Sequence, residues 1–433
     1  MNREIFRLAI PNLLANLTVP LVGLADTMVM GQIAENPALY LGAIGLGGTI
    51  FNTIYWSVGF LRMGVTGITA QAYGAKDFSA QAHTFGRGFG LAIILGLALM
   101  VLQVPLEWLA FKLLHGEAEV EAVAAEYFRI RIWAAPAALG LMALNGWFLG
   151  MQNTRFPLYI TIVVNGINVL LNILLALGLD MRAEGVALAT VIANYTGLAL
   201  GVALATYRYR ANLITMSRRS LIALAPLKHF FAINGNIFIR TVCLTFVFAF
   251  FTDRSAAAGG DALAVNQMLI QFFFLMSYGI DGFAFAAESL VGKFKGSGET
   301  SSLRKAISIL LVWGIAVGIG YSIAYALAGP WVLARFTSEA ELQTAALPYL
   351  PWLTALPIVS ASAFIWDGVY IGATATAALR TTMILSTFTI FLPAYLLTAS
   401  WGNHGIWFSM SLFMLGRGVL LHFWAKKSIY SVN

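Results

Sequence analysis

The chain has 433 residues, 59% hydrophobic and 10% charged, with a formal net charge of +7 and a mean hydropathy of +0.80. A soluble domain carries about 25% charged residues, so lipid must solvate most of this apolar surface. One cysteine, Cys243, excludes an intrachain disulfide.

A helix that crosses a bilayer needs roughly 20 predominantly apolar residues. On that measure twelve spans are predicted, near 6–31, 40–71, 86–114, 122–150, 156–179, 184–207, 229–252, 261–292, 305–334, 342–373, 380–399 and 404–425. The expected fold is therefore all-α, a polytopic membrane protein with twelve transmembrane helices in two pseudo-twofold-related six-helix lobes. Residues 1–207 form the expected N-lobe, 208–228 a basic cytoplasmic linker with a short surface helix, and 229–433 the C-lobe.

An ionisable group inside a span costs about 2.5–3.5 kcal/mol near the midplane, so each is a candidate for function. In the first span, Arg3 and Arg7 read as cytoplasmic anchors rather than the start of a cleavable signal, and Pro11 and Pro20 are candidate hinges because proline removes a backbone donor. Asp26 follows in PLVGLADTMVMGQI with no basic residue within a helical turn or two. Burial of such a carboxylate favours its neutral form, so Asp26 is the leading candidate to bind and release a proton or to coordinate sodium.

Tyr127 opens the fourth span. In the fifth, VNGINVLLNILLALG places Asn165, Asn168 and Asn172 on one helical face. Amides on one stripe are costly against lipid and should meet another helix or a wet cavity. Thr190 and Asn194, one turn apart on the sixth span, extend this polar patch. In the second half, Asp281 and Glu288 share a face of the eighth span, Asp367 lies in the tenth, and Arg240 of the seventh is expected to pair with Asp281 or Glu288. Arg62, Arg129, Arg131 and Arg417 are expected to extend toward an interface.

The two halves resemble each other at an offset near 222: ITAQAYGAKD aligns with SLVGKFKGSG, NGWFLGMQNT with DGVYIGATAT, and Pro136 falls near Pro357. Parallel repeats of this kind build transporters that rock one half against the other. Basic residues crowd alternate loops and both termini, whereas the opposite loops carry only Lys112, Arg182, Arg254 and Arg335. The positive-inside rule then places both termini in the cytoplasm. It also explains the basic balance without nucleic acid as a partner. The abundant aromatic and Met residues could line a cavity for apolar cations, although most would serve as lipid-facing bulk.

No catalytic constellation is present in the sequence. His83, His115, His229, His404 and His422 lack metal-ligand spacing, and no Gly-Lys-Ser/Thr phosphate loop exists. The chain is expected not to be an enzyme and to need no cofactor beyond a coupling ion, proton or Na+.

Taken in order, Pro11 with Asp26 in LADTMVMG, AQAYGAKD ending the second span, residues 168–193, DGFAFAAESLVGK and DGVYIGAT resemble the multidrug and toxic compound extrusion (MATE) transporters, in particular the DNA-damage-inducible-protein-F (DinF) subfamily. The resemblance covers essentially the whole chain. It implies two six-helix lobes around a central cleft and export of cationic or amphipathic drugs and toxic compounds by alternating access, driven by proton or sodium entry. It implies an N-lobe cluster of Asp26, Tyr127, Asn168, Asn172 and Thr190, with Pro11 as the kinking proline. Asn172 stands where relatives often hold aspartate. Asp26 is left as the one clear N-lobe carboxylate, which suits proton coupling better than a sodium site at Asp26, Asn168, Asn172 and Thr190. The resemblance further implies a monomer surrounded by membrane lipids in a bacterial or archaeal-type inner (plasma) membrane. Two other readings remain: a lipid or lipid-linked oligosaccharide flippase of the same superfamily, which would need several arginines in the cleft, and a membrane enzyme or scaffold.

Overall fold

The computed structural model describes residues 1–32, 36–114, 116–336 and 339–430; the side chains of 19–22, 24 and 336 lie outside that set, so Pro20 is described by its backbone alone and His115 not at all. Every regular element among the described residues is helical. Eleven helices are long and apolar enough to cross a membrane. We number them α2 (Pro37–Gly74), α3 (Phe78–Val101), α4 (Ala118–Gly150), α5 (Arg155–Gly178), α6 (Arg182–Leu213), α7 (Leu224–Ala257), α8 (Gly260–Gly296), α9 (Thr300–Arg335), α10 (Ala340–Gly372), α11 (Thr376–Trp401) and α12 (Asn403–Ser428). Ahead of them α1 (Asn2–Met30) runs 29 residues and is uncharged from Leu8 to Ala25, which makes it the twelfth span.

The helices often outrun their predicted apolar cores. Helix α8, for instance, is 37 residues long and ends beyond Lys293 and Lys295. Backbone hydrogen bonding continues past the apolar limit, so hydropathy alone underestimates helix length. Proline shapes the interior of others. A 3₁₀ turn at Ile132–Ala134 precedes Pro136 in α4, and another at Leu347–Tyr349 contains Pro348 in α10. A missing amide donor is accommodated by tightening the turn. Helix α1 continues unbroken through Pro11.

Contacts divide the chain into two units, Leu14–His229 and Phe230–Asn433 together with Met1–Leu13. In the expected 1–207 and 229–433 lobes the first thirteen residues lay with the N-lobe; here they pack with the C-terminal half. Their anchors are specific. Phe6 meets Phe283 and Trp313 edge-on, Lys293 pairs with Glu4 at 3.2 Å, and a Cβ on Gly282 would press on Ala9 and Leu13. These contacts join residues far apart in sequence, so span-by-span reading could not assign them.

The internal repeat is inscribed in the backbone. In the N-terminal unit, a Cβ at Gly146 would strike the backbone of Arg62, and one at Gly150 would strike Thr66 and Thr69. In the other unit, Gly368 abuts the backbone of Ala284 and Gly372 that of Glu288. Gly368 and Gly372 each lie 222 residues after Gly146 and Gly150. The turn residues with positive φ follow the same offset: Lys76 (56°) with Gly298 (73°), and Gln152 (60°) with Thr374 (52°). Close helix crossings demand a missing side chain, so the offset survives where sequence similarity is faint.

Helix α6 runs on to Leu213, past the expected boundary at 207, and the linker holds a short helix at Arg218–Leu221. Arg87 of α3 donates to the carbonyls of Ser220 (2.5 Å) and Leu221 (3.1 Å), and the Ser217 amide donates to His83 Nε2 at 3.1 Å. The linker is therefore fastened to its own unit.

Candidate functional site

Asp26 is half-buried near the C-terminal end of α1. On the next turn, Val29 and Met30 belong to one apolar cluster with Ile50, Phe51, Tyr127, Phe128, Ile132, Ala176, Val186 and Ala187 of four other helices. The hydrogen-bond partner of Asp26 is Asn172, whose Nδ2 donates to Asp26 Oδ1 at 2.5 Å. Asn172 is fully buried and also reaches Asn168 Oδ1 at 3.3 Å. Asn168 in turn donates to Thr190 Oγ1 at 3.1 Å, and Thr190 donates back to the Val186 carbonyl of its own helix. The chain Asp26, Asn172, Asn168, Thr190 thus links α1, α5 and α6, as the amide stripe and the resemblance both led one to expect.

Local helix geometry contributes. Helix α5 widens into a π-helical segment at Asn172–Gly178, beginning at the residue that holds Asp26. Such widenings concentrate at functional sites.

Other expected members stand apart. Asn165 donates to Thr18 Oγ1 at 2.9 Å, and Asn194 donates to the Thr190 carbonyl at 2.8 Å, so both are hydrogen-bonded away from the carboxylate. Tyr127 is fully buried, and its hydroxyl accepts from Arg131 Nη1 rather than joining the amides. Arg131 is a correction. Instead of reaching an interface it turns inward, 4.9 Å from the Phe51 ring centroid and 5.4 Å from that of Tyr127. It lies within electrostatic range of Asp26 and Tyr55. The Tyr55 hydroxyl, also overlooked in the sequence, is buried without a hydrogen-bond partner. One signal was available: Arg131 follows Tyr127 by one helical turn, which places both on the same face.

Among oxygen donors for a sodium ion, the Asn168 and Thr190 oxygens already accept amide hydrogens. Asn172 Oδ1 is buried and has no hydrogen-bond partner. Among the described residues no three His, Cys, Asp or Glu side chains gather as a metal site.

The C-terminal unit holds a different centre. Asp367 of α10 pairs with Arg240 of α7 and, at 2.6 Å, with Arg417 of α12. All three are buried, at 5%, 7% and 1% exposure. Two expectations are corrected. Arg240 pairs with Asp367, not with Asp281 or Glu288, and Arg417 is locked in the core instead of extending to an interface. The register of α10 brings Asp367 between two helices whose sequence gives no hint of that meeting. Glu288 is buried on α8, its backbone against Gly372, and Asp281 is half-buried near Tyr278. Arg129 is exposed and bound to Glu107 at 2.6 Å. Arg62 is half-buried.

A repeated set of apolar helices, with a polar chain buried within the spans of one half and a closed ion triad in the other, defines a polytopic membrane transporter. Comparison narrows the class. The MatE family model matches two stretches, 11–174 and 237–397, one in each half. The DNA damage-inducible protein F of Escherichia coli (strain K12) is 35% identical over 427 residues, spanning 97% of this chain and 91% of that protein. A probable multidrug resistance protein NorM of Synechococcus is 26% identical over 434 residues, spanning 95% of this chain and 90% of that protein. The solved outward-facing structure of a multidrug resistance MATE family transporter superposes with a TM-score of 0.88 over 99% of this chain and 95% of its own, at 18% identity. That likeness establishes the fold, one of twelve membrane helices. The chain belongs to the MATE family, whose members are transporters and not enzymes.

Proposed function

We propose that the chain exports cationic or amphipathic small molecules in exchange for protons by alternating access, with Asp26 as the coupling carboxylate. The observation that carries this reading is the Asn172 amide. Its Nδ2 serves an ionised Asp26, and its buried Oδ1 is unsatisfied. A half-turn of the amide would offer that oxygen to the O–H of a protonated Asp26. Asparagine can therefore satisfy Asp26 in both protonation states, which aspartate, with no donor when ionised, cannot. Asn168 and Thr190 hold Asn172 in place, Tyr127 positions Arg131, and Pro11 and Pro20 supply the bend that couples protonation to shape.

Drug export is favoured by the names of the relatives, NorM among them. A flippase of diphosphate lipids would need free arginines. Arg417 is spent on Asp367, Arg129 on Glu107, and Arg131 donates to Tyr127. We also propose a monomer, surrounded by lipid in a bacterial inner membrane and using neither a cofactor nor nucleic acid. Both termini would face the cytoplasm; a C-terminal fluorescent-protein fusion should glow and a periplasm-dependent phosphatase fusion stay inactive, and the reverse pattern refutes the orientation.

The decisive experiment measures a fluorescent cationic dye in proteoliposomes under an imposed pH gradient. Wild type should move dye against its gradient as protons flow down theirs. Asp26→Asn should bind dye and fail to move it. Equal transport by both would exclude Asp26 as the coupling group, and transport that follows only a sodium gradient would exclude proton coupling.

A further inference from the structure

We propose that Arg131 is a tethered cation that takes the place of a metal ion beside Asp26 and so makes the site select protons over sodium. The inference rests on the reading of Asp26 as the coupling carboxylate.

Arg131 lies on the same helix as Tyr127, one turn on, and its guanidinium reaches the aromatic wall formed by Phe51 and Tyr127. Nη1 is engaged with the Tyr127 hydroxyl, while Nε is buried without an acceptor. An arginine keeps its charge under all ordinary conditions, so a positive charge stands within electrostatic range of Asp26 whether or not Asp26 carries a proton. Several other charged and titratable groups on the helices packed here are disposed differently. Arg129 is turned outward onto Glu107, and Arg182 is bound to Asp180 and Tyr40. Tyr55 and Tyr127 share the pocket with Arg131 and carry no formal charge as phenols.

A sodium ion entering this pocket would meet a carboxylate whose charge is already offset, and would sit beside a like charge with few free oxygens to replace its water. A proton feels the same offset charge but not the want of oxygens. It bonds directly to a carboxylate oxygen and needs no coordination shell, and the guanidinium keeps Tyr127 as an acceptor when Asp26 is neutral. Arg131 acts through Asp26 and is a positioning residue.

The test reads sodium binding rather than transport. Thermal unfolding of the purified full chain in lipid nanodiscs is compared in sodium chloride and choline chloride at equal ionic strength. Wild type and Arg131→Lys should show no sodium-specific change. Arg131→Met should gain a sodium-specific rise of about 2 °C by roughly 100 mM, as expected for a newly available weak site. Arg131→Met combined with Asp26→Asn should lose that rise, which a merely structural role for Arg131 would not produce. No rise in Arg131→Met overturns the proposal. So does a sodium-specific rise in wild type that Asp26→Asn removes, a result that requires no Arg131 variant to fold; Arg131→Gln serves as the second variant if the Met protein is unstable. If this sodium pattern holds but dye export ignores the pH gradient, the coupling reading has failed and the tethered cation has not.

Discussion

Asp26 and Asp367 are both carboxylates within membrane helices, yet their surroundings differ in kind. Asp26 is half-buried and held by one neutral amide, with a guanidinium nearby that bonds elsewhere. Asp367 is buried and bound by two guanidiniums. An amide can follow a change of charge, because it has both a donor and an acceptor. Two arginines cannot, because neutralising Asp367 would leave two buried cations facing each other. A carboxylate in a membrane is therefore no sufficient sign of coupling; what matters is whether its partners can tolerate both of its states.

The widest separation between the two sites should appear in paired variants. Asp26→Asn keeps shape and hydrogen bonding, so it should abolish gradient-driven export while changing stability by no more than about 1 kcal/mol. Asp367→Asn should do the opposite in kind, destabilising the C-terminal unit by about 3–5 kcal/mol as two buried arginines lose their counter-charge. Thermal unfolding and yield of folded protein measure this loss. If Asp367→Asn were as stable as wild type and uncoupled, the contrast would collapse and Asp367 would rank with Asp26. A smaller effect sharpens the boundary of the N-terminal site. Asn165→Ala removes only the bond to Thr18 and should cost about 1 kcal/mol, with the proton dependence of dye export unchanged. A shifted pH profile in that variant would extend the coupling network past Asn168.

Much of this was legible in the sequence. Spans follow from hydropathy, because the bilayer sets a fixed length. The stripe of Asn168 and Asn172 follows from helical spacing, and its link to Asp26 and Thr190 from the family resemblance. The 222-residue offset was readable from the glycines, and the structure gives the reason: at Gly146 and Gly368 a neighbouring backbone occupies the space of a side chain. What sequence withheld were the meetings between distant segments. Asp367 finds Arg240 and Arg417 at separations of 127 and 50 residues, and Phe6 finds Trp313 on α9. No local pattern encodes such pairs. The inward turn of Arg131 was hidden for another reason, since a long arginine side chain in an apolar span ordinarily extends toward the interface. The π-helical segments were also unreadable. They begin at Asn172 in α5 and at Ser386 in α11, which are 214 rather than 222 residues apart, so this feature does not obey the repeat.

The positive-φ turns have an implication for the history of the molecule. Lys76 and Gly298, like Gln152 and Thr374, adopt the same unusual backbone at matching places with unlike side chains. A gene that doubled would pass on its bends and crossings first, since each is tied to many neighbours at once, whereas a buried charge can be exchanged by altering a few codons. On that view the two halves descend from one ancestor that already possessed the scaffold, and their unlike polar centres, an amide-held carboxylate in one and an ion triad in the other, were written later.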